Sequence, residues 1–130
     1  MTYFYQEIID EIPPFAKVLD LGCGTGQLLR QLIAKKQILA YGVDINPDNI
    51  LICIEKGLSV IEHDLNHGLA LFHDYSFDYV IFSQTLQEIK QPIHILRDIL
   101  RIGKKCIISF PNFAFLSNRI QLLLGSTPQN

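Results

Sequence analysis

Apolar residues in this chain fall into two alternating patterns, short continuous runs and longer stretches of helical spacing. The continuous runs are rich in β-branched residues and are bounded by Gly, Pro, Asn or Asp, which is typical of buried strands. The stretches between them carry apolar residues every three or four positions, which is typical of amphipathic helices. Strands are therefore predicted at residues 18–21, 38–43, 58–61, 77–82 and 105–110.

Helices are predicted on either side of most of these strands. They cover residues 3–12, a segment that follows Gly26, and residues 47–57, 92–103 and 113–124. Asn46 followed by Pro47 is a typical helix start. Strands that alternate with helices predict a parallel sheet with right-handed crossovers. Because neither a linker nor a repeat interrupts this alternation, residues 1–130 are expected to form one domain.

The predicted helices carry apolar residues at helical spacing. Leu28, Leu29, Leu32 and Ile33 share one face of the helix after Gly26, and the 47–57 helix carries Ile50, Leu51 and Ile54. In the 92–103 helix, Ile95, Leu96, Ile99 and Leu100 are expected to point inward. In the last helix the stripe is Leu116, Ile120 and Leu123.

The first strand runs into a turn with glycines at positions 22, 24 and 26. A strand, a glycine turn and a helix start together are typical of a nucleotide-cofactor site, because free N–H groups face a backbone without side chains. The dinucleotide fingerprint requires a glycine at position 27, where this chain has Gln. Asp20, just before the turn, favours a ligand that carries a cation, and S-adenosylmethionine fits. The alternative is an ordinary tight turn between a strand and a helix.

Polar residues follow each predicted strand. They are Asp20, Asp44, Asp64, the segment Ser83-Gln84-Thr85, and Asn112. In parallel sheets ligands bind outside the carboxyl ends of the strands. The pattern therefore predicts one site along that edge.

Asp44 is the most informative of these residues after the glycines. A carboxylate at the end of the second strand can accept both ribose hydroxyls of a nucleoside, or it can cap the helix that begins near Asn46. Two roles also fit Asp64, which can accept the adenine amino group or cap a turn. Ile45 and Leu65 either sandwich the adenine ring or belong to the core.

Composition narrows the classes of partner. The net charge is −2 and there is no basic tract, which disfavours nucleic acid, since phosphate contacts need clustered Lys and Arg. No run is long and apolar enough for a membrane span, and the acidic N-terminal segment does not resemble a signal peptide. The cysteines, which do not form a disulfide framework, predict a protein of the reducing cytoplasm.

Cysteine and histidine residues suggest neither a disulfide framework nor a metal site. Cys23, Cys53 and Cys106 are odd in number and widely spaced. Cys23 is interpreted as a small space-filler in the turn. His63 and His67 are four residues apart, but a third ligand at a known spacing is missing, so solvent-facing side chains are favoured.

Three segments together resemble class I S-adenosylmethionine-dependent methyltransferases: residues 18–26, 42–45 and 77–81. The resemblance implies an α/β fold with a Rossmann-like doubly wound parallel sheet of strand order 3-2-1-4-5, and S-adenosylmethionine as the cofactor. With the reasoning above, it predicts cofactor contacts from Asp20, Gly22, Cys23, Gly24, Gly26, Asp44, Ile45, Asp64, Leu65 and Ser83.

Residues 78–87, 109–113 and 119–125 are in addition similar to the methionine-biosynthesis protein MetW family. That family consists of small methyltransferase-like proteins associated with the homoserine O-acyltransferase step of methionine synthesis. The resemblance implies this acyltransferase as a candidate partner. The apolar stripe of the 113–124 segment either packs on the sheet or docks that enzyme, and docking predicts that Phe115 and Leu122 are exposed in the free protein.

The chain departs from these patterns in three places. Thr25 stands where the family usually has an acid, and Ser126 where it usually has a second glycine. Class I enzymes normally continue with two further strands, so the sheet is expected to lack them and the chain resembles a truncated copy. The outer edge of the 105–110 strand is then expected to be open.

Three functions remain at this stage. The favoured one is a methyltransferase whose acceptor the sequence does not identify; methyl transfer needs mainly alignment, so a missing general base does not argue against it. The second is a non-catalytic cofactor-binding partner that regulates the acyltransferase. The third, an NAD-dependent dehydrogenase, is disfavoured by Gln27.

Overall fold

A computed structural model of the chain describes residues 2–82, 89–109 and 119–120. The helices in these ranges are α1 Thr2–Glu11, α2 Gln27–Lys36, α3 Pro47–Glu55 and α4 Pro92–Ile102. The strands are β1 Lys17–Leu21, β2 Leu39–Asp44, β3 Ser59–Glu62, β4 Phe77–Phe82, β5 Gly103–Ser109 and β6 Arg119–Ile120. A single 3-10 turn, Leu65–His67, follows β3. None of the helices in the described ranges has the length and apolar character needed to span a bilayer.

The strands form one sheet in the order β3-β2-β1-β4-β5-β6. Every pairing from β3 to β5 is parallel, which confirms the predicted fold class and the order 3-2-1-4-5. The order reverses between β1 and β4, because the chain returns to the middle of the sheet after β3. This switch point is where ligands bind in such sheets.

β6 is antiparallel to β5, with Ile108 opposite Ile120 and Ser109 opposite Arg119. The helix predicted over 113–124 is therefore wrong at 119–120, and the outer edge of β5 is covered there. The unpaired N–H and C=O groups of an edge strand favour such a pairing, and here they outweigh the helical spacing of the apolar residues. The rest of the predicted helix lies outside the described residues.

The core lies on both faces of the sheet, as a doubly wound fold requires. On one face α1, α2 and α3 pack against the strands. Ile8, Leu29 and Cys53 come from these helices, and Ile81 comes from β4. On the other face α4 packs through Ile95, Ile99 and Ile102. The inward positions predicted for Ile95 and Ile99 of α4 are therefore confirmed.

Three apolar residues of α2 and α3 are exposed: Ile33, Leu51 and Ile54. α3 buries Ile50 and Cys53 and leaves Leu51 60% exposed. This helix packs against the two strands at one end of the sheet, β2 and β3. Little sheet lies beneath it, so its apolar stripe is wider than the surface available to cover it.

Local signals at the helix ends are confirmed. The side chain of Asn46 accepts hydrogen bonds from the backbone N–H groups of Asp48 and Asn49, at 2.8 and 3.4 Å. Pro47 occupies the first helical position, where its missing N–H costs nothing. This cap fixes the direction in which α3 leaves the carboxyl end of β2.

Candidate functional site

A cleft of about 290 Å³ opens at the carboxyl ends of β1, β2, β3 and β4. Its walls include the glycine turn, the side chains of Asp44 and Asp64, and the ring of Phe82. The structure therefore brings residues from four separate strand ends to one place, as the sequence pattern predicted.

Gly24 and Gly26 are both in the left-handed region, with φ values of 59° and 85°, but for different reasons. A Cβ on Gly24 would meet nothing within 4 Å, so the backbone there faces open space. A Cβ on Gly26 would lie 2.3 Å from Leu58 Cδ1 and 3.2 Å from Cys53 Sγ. Gly24 thus leaves room for a ligand to approach the main chain, whereas Gly26 allows the turn to pack on the core.

Asp44 connects the glycine turn to the start of α3. Its Oδ2 accepts the Gly24 N–H at 2.7 Å, and its Oδ1 accepts the Asn46 N–H at 2.9 Å and the Asn49 amide at 3.5 Å. A carboxylate offers about four acceptor positions. A pair of ribose hydroxyls would therefore have to displace at least the long bond from Asn49.

Asp20 has the most unusual environment in the described part of the chain. Its residue is 3% exposed, and its Oδ1 has no hydrogen-bond partner. Burial, followed by the nearby charge of Asp44, raises the pKa of Asp20 to about 8. A buried acceptor without a partner is rare in folded proteins and calls for an explanation. Asp20 itself is not among the residues that line the cleft, whose lining in this part of the chain begins at Gly22.

Asp64 caps the 3-10 turn. Its carboxylate accepts the Asn66 N–H at 2.9 Å, and this backbone hydrogen bond lowers the pKa of Asp64. The capping role is therefore observed, while contact with an adenine remains a prediction. Leu65 and Ile45, which is 60% exposed, also line the cleft. Ser83 lies outside the described residues.

Cys23 does not line the cleft but packs in the core beneath the turn. Its Sγ would lie 2.7 Å from a Cβ on Gly42, and its thiol donates to the Gly24 carbonyl oxygen at 3.8 Å. Burial raises the pKa of the Cys23 thiol, which makes it a poor nucleophile. The space-filling interpretation fits this position better than a side-chain contact with a cofactor.

His63, Asn49 and Asn66 line the cleft without having been predicted to do so. His63 Nε2 lies 2.7 Å from the Gly68 carbonyl oxygen, and because a carbonyl only accepts, this nitrogen carries the proton. In residues 2–82, 89–109 and 119–120, no group of three or more His, Cys, Asp or Glu side chains could hold a metal ion. In the sequence, the only signal for His63, Asn49 and Asn66 as cleft residues is their position next to a strand end or a helix start.

A second cavity of about 340 Å³ lies between the 65–68 turn and α4, and shares Leu65, Asn66 and Ile89 with the cleft. Its one carboxylate, Asp98, already accepts the Leu69 N–H at 2.9 Å and lies 3.6 Å from the Arg101 guanidinium. This cavity lacks a free negative charge and therefore suits a cationic ligand less well than the cleft.

Comparison with known proteins identifies the family. The model of the family "Methionine biosynthesis protein MetW" matches residues 3–130. The chain belongs to this family. It is 42% identical over 118 residues to the bifunctional methionine biosynthesis protein MetXA/MetW of Rhodopirellula baltica, a match that covers 85% of this chain and 19% of that protein.

Solved structures support the fold. A putative methyltransferase in complex with the Haloferax volcanii Trm112 methyltransferase activator is 26% identical, with a TM-score of 0.72, over 81% of this chain and 50% of that chain. Phosphoethanolamine N-methyltransferase 2 of Haemonchus contortus, solved with S-adenosyl-L-methionine, has a TM-score of 0.73 at 21% identity, over 83% of this chain and 28% of that chain. The chain thus spans half or less of the length of these relatives.

Proposed function

We propose that this protein binds S-adenosylmethionine, or its demethylated product, in the cleft at the carboxyl ends of the strands. It acts as a methyltransferase-like protein at the homoserine O-acyltransferase step of methionine biosynthesis. The observation that carries the proposal is Asp20, a buried carboxyl with an unpartnered oxygen, beside a glycine turn whose backbone faces open space. A ligand with an ammonium and a sulfonium group matches a cleft that is lined by the carboxylates of Asp44 and Asp64, with the buried Asp20 carboxyl two positions before Gly22.

The remaining residues would hold the rest of the cofactor. Asp44 would accept the ribose hydroxyls from its position between the turn and α3. Asp64 would receive the adenine amino group, with Ile45 and Leu65 on the faces of the ring. Gly24 would let the ligand approach the backbone closely.

Bound S-adenosylmethionine would supply an activated methyl group and its own leaving group. The chain's residues then need to orient the cofactor and exclude water, which requires no general base. Phe82, which is fully buried, supplies an apolar wall of the cleft. The segments predicted to approach the acceptor, 83–85 and 111–112, lie outside the described residues, and the acceptor stays unassigned.

The second candidate is a non-catalytic partner that binds the cofactor and regulates the acyltransferase. The relative that carries MetXA and MetW in one chain favours a physical association of the two activities. The two candidates differ in turnover. Transfer of a labelled methyl group, measured with and without the acyltransferase, distinguishes an enzyme from a regulator. The cytoplasmic location expected from the cysteines stays a prediction.

Calorimetry tests the cofactor assignment. Asp44→Ala should weaken S-adenosylmethionine binding by about 1.5–3 kcal/mol, because a charged hydrogen-bond acceptor is lost. Asp48→Asn, which alters an exposed acid in the first turn of α3, is the matched control and should leave affinity unchanged. Equal affinities of wild type and Asp44→Ala would remove Asp44 from the site, and tight NAD binding by the wild type would replace the cofactor.

A further inference from the structure

A groove of about 320 Å³ lies at the opposite end of the sheet from the cleft, where β1, β4 and β5 begin. Pro13, Pro14 and Phe15 form one side of it, and Lys104 and Lys105 form another. We call these five residues the Phe15 surface. No residue that lines the cleft also lines this groove, so the groove has a separate role to explain.

Phe15 presents a large apolar side chain to solvent from an unusual backbone conformation. The residue is 73% exposed, and its φ of 66° is in the left-handed region, which bulky residues rarely adopt. The Phe15 N–H donates to the Lys36 carbonyl at 2.8 Å, and the Leu39 N–H donates to the Ala16 carbonyl at 2.9 Å. These bonds tie the segment to the end of α2 and the start of β2, and hold it in place.

Lysines are concentrated around this surface, where the acids include Asp78 in the groove and Asp10 and Glu11 at the end of α1. Five of the chain's seven lysines, at positions 17, 35, 36, 104 and 105, lie at the starts of β1 and β5 or at the end of α2. The one acid in the groove is Asp78, which accepts the Lys17 N–H at 2.8 Å and lies 3.4 Å from Lys104 Nζ. Lys35 and Lys36 donate to uncharged oxygens of Gln6 and Ile12. The acids of the cleft lie at the far end of the sheet.

An exposed aromatic side chain beside cations is typical of a protein–protein interface, where the ring fills a pocket and the charges select and steer the partner. The complementary surface would carry an apolar pocket surrounded by carboxylates. We propose that the Phe15 surface docks the homoserine O-acyltransferase through such an acidic surface. This inference rests on the proposed function for the identity of the partner, which the MetXA/MetW relative supports. A docked enzyme at this end would leave the cleft open.

The test measures binding of the purified homoserine O-acyltransferase of the same organism to the full chain. Phe15→Asn removes the ring, while Asn tolerates the left-handed backbone. It should weaken binding at least tenfold, and so should Lys105→Glu, which should also reduce the dependence of affinity on salt. Leu51→Asn and Lys90→Glu remove an exposed apolar group and a cation elsewhere and should have no effect. Unchanged S-adenosylmethionine binding shows that each variant is folded.

The possible failures are distinguishable. If the wild type does not bind the acyltransferase, the proposed partner is wrong, and so is the proposal that the Phe15 surface docks it. If the wild type binds and both Phe15→Asn and Lys105→Glu bind equally well, the partner stands and the Phe15 surface is wrong. Loss of binding in Leu122→Glu alone would place the interface on the 113–124 segment instead.

Discussion

At the scale of single residues, Asp20 carries the most information. Burial first, and the charge of Asp44 second, raise its pKa to about 8, and the groups that face it in the described residues are Tyr5, Cys23, Asp44 and Cys53. In the unfolded chain its pKa returns to the ordinary value of 3.8. Between these values the folded protein holds a proton that the unfolded chain has lost. The free energy of unfolding therefore falls as the pH rises through this window.

Asp20→Asn should remove this dependence, because the amide does not ionise. We expect the wild type to lose about 2–4 kcal/mol relative to the variant between pH 5 and pH 8. Urea unfolding of both proteins at the two pH values measures the difference, and other titrating groups cancel in the comparison. If the free energy of unfolding changes equally with pH in the two proteins, the fold does not hold Asp20 protonated.

The same carboxyl should link cofactor binding to protons. A cationic ligand favours ionised Asp20, so affinity for S-adenosylmethionine should rise with pH, up to tenfold per unit, and level off near the pKa of about 8. Calorimetry in two buffers of different ionisation enthalpy should detect proton release from the protein. Asp20→Asn is the control for titration of the ligand's own amine, and equal proton release from the variant would contradict the linkage.

The sequence identified Asp20, Asp44 and Asp64 because each follows a strand and because the carboxyl ends of parallel strands meet. It could not indicate which of them would lack a partner. That property depends on where Gly24, Asn46 and Asn66 direct their N–H groups after the loops fold. Ribose and adenine contacts stay predictions, since the structure shows these carboxylates engaged with their own loops.

At the scale of elements, the glycine turn combines two separate requirements. Gly24→Ala places a side chain in a left-handed conformation without a clash, and should cost about 1–2 kcal/mol of stability. Gly26→Ala adds a clash with Leu58 and should cost about 2–4 kcal/mol. Cofactor affinity should fall in Gly24→Ala even where the protein is fully folded. Denaturant unfolding measures the loss of stability, and calorimetry measures the loss of cofactor affinity. Equal stability losses in Gly24→Ala and Gly26→Ala would contradict the different roles given to the two glycines.

Most of the strands and helix caps were predictable because their signals are local. The outward face of α3 was not, since hydrophobic spacing does not show how much sheet lies under a helix. Nor was the strand at Arg119–Ile120, because its partner Ile108 is distant in sequence and pairing is a long-range requirement. The failures thus lie at the two ends of the sheet, where tertiary context decides.

At the scale of the whole molecule, a net charge of −2 hides a separation of charge. The cleft at the carboxyl ends of the strands is lined by Asp44 and Asp64, and five of the seven lysines lie near the opposite end, together with acids such as Asp78. Cations are attracted to one end and acidic surfaces to the other. This arrangement allows a small cationic cofactor and an acidic protein to bind at the same time.

Simultaneous binding can be tested as a coupling between the two ends. Because the cleft and the Phe15 surface lie at opposite ends of the sheet, we expect saturating S-adenosylmethionine to change acyltransferase affinity less than twofold. Coupling is reciprocal, so the acyltransferase should leave cofactor affinity equally unchanged. Titrations in both directions give two independent measurements of one quantity. A change in affinity of fivefold or more in both titrations would contradict independent binding at the two ends. It would favour the regulatory function, in which the cofactor controls binding of the acyltransferase, over a methyltransferase that is merely docked to that enzyme.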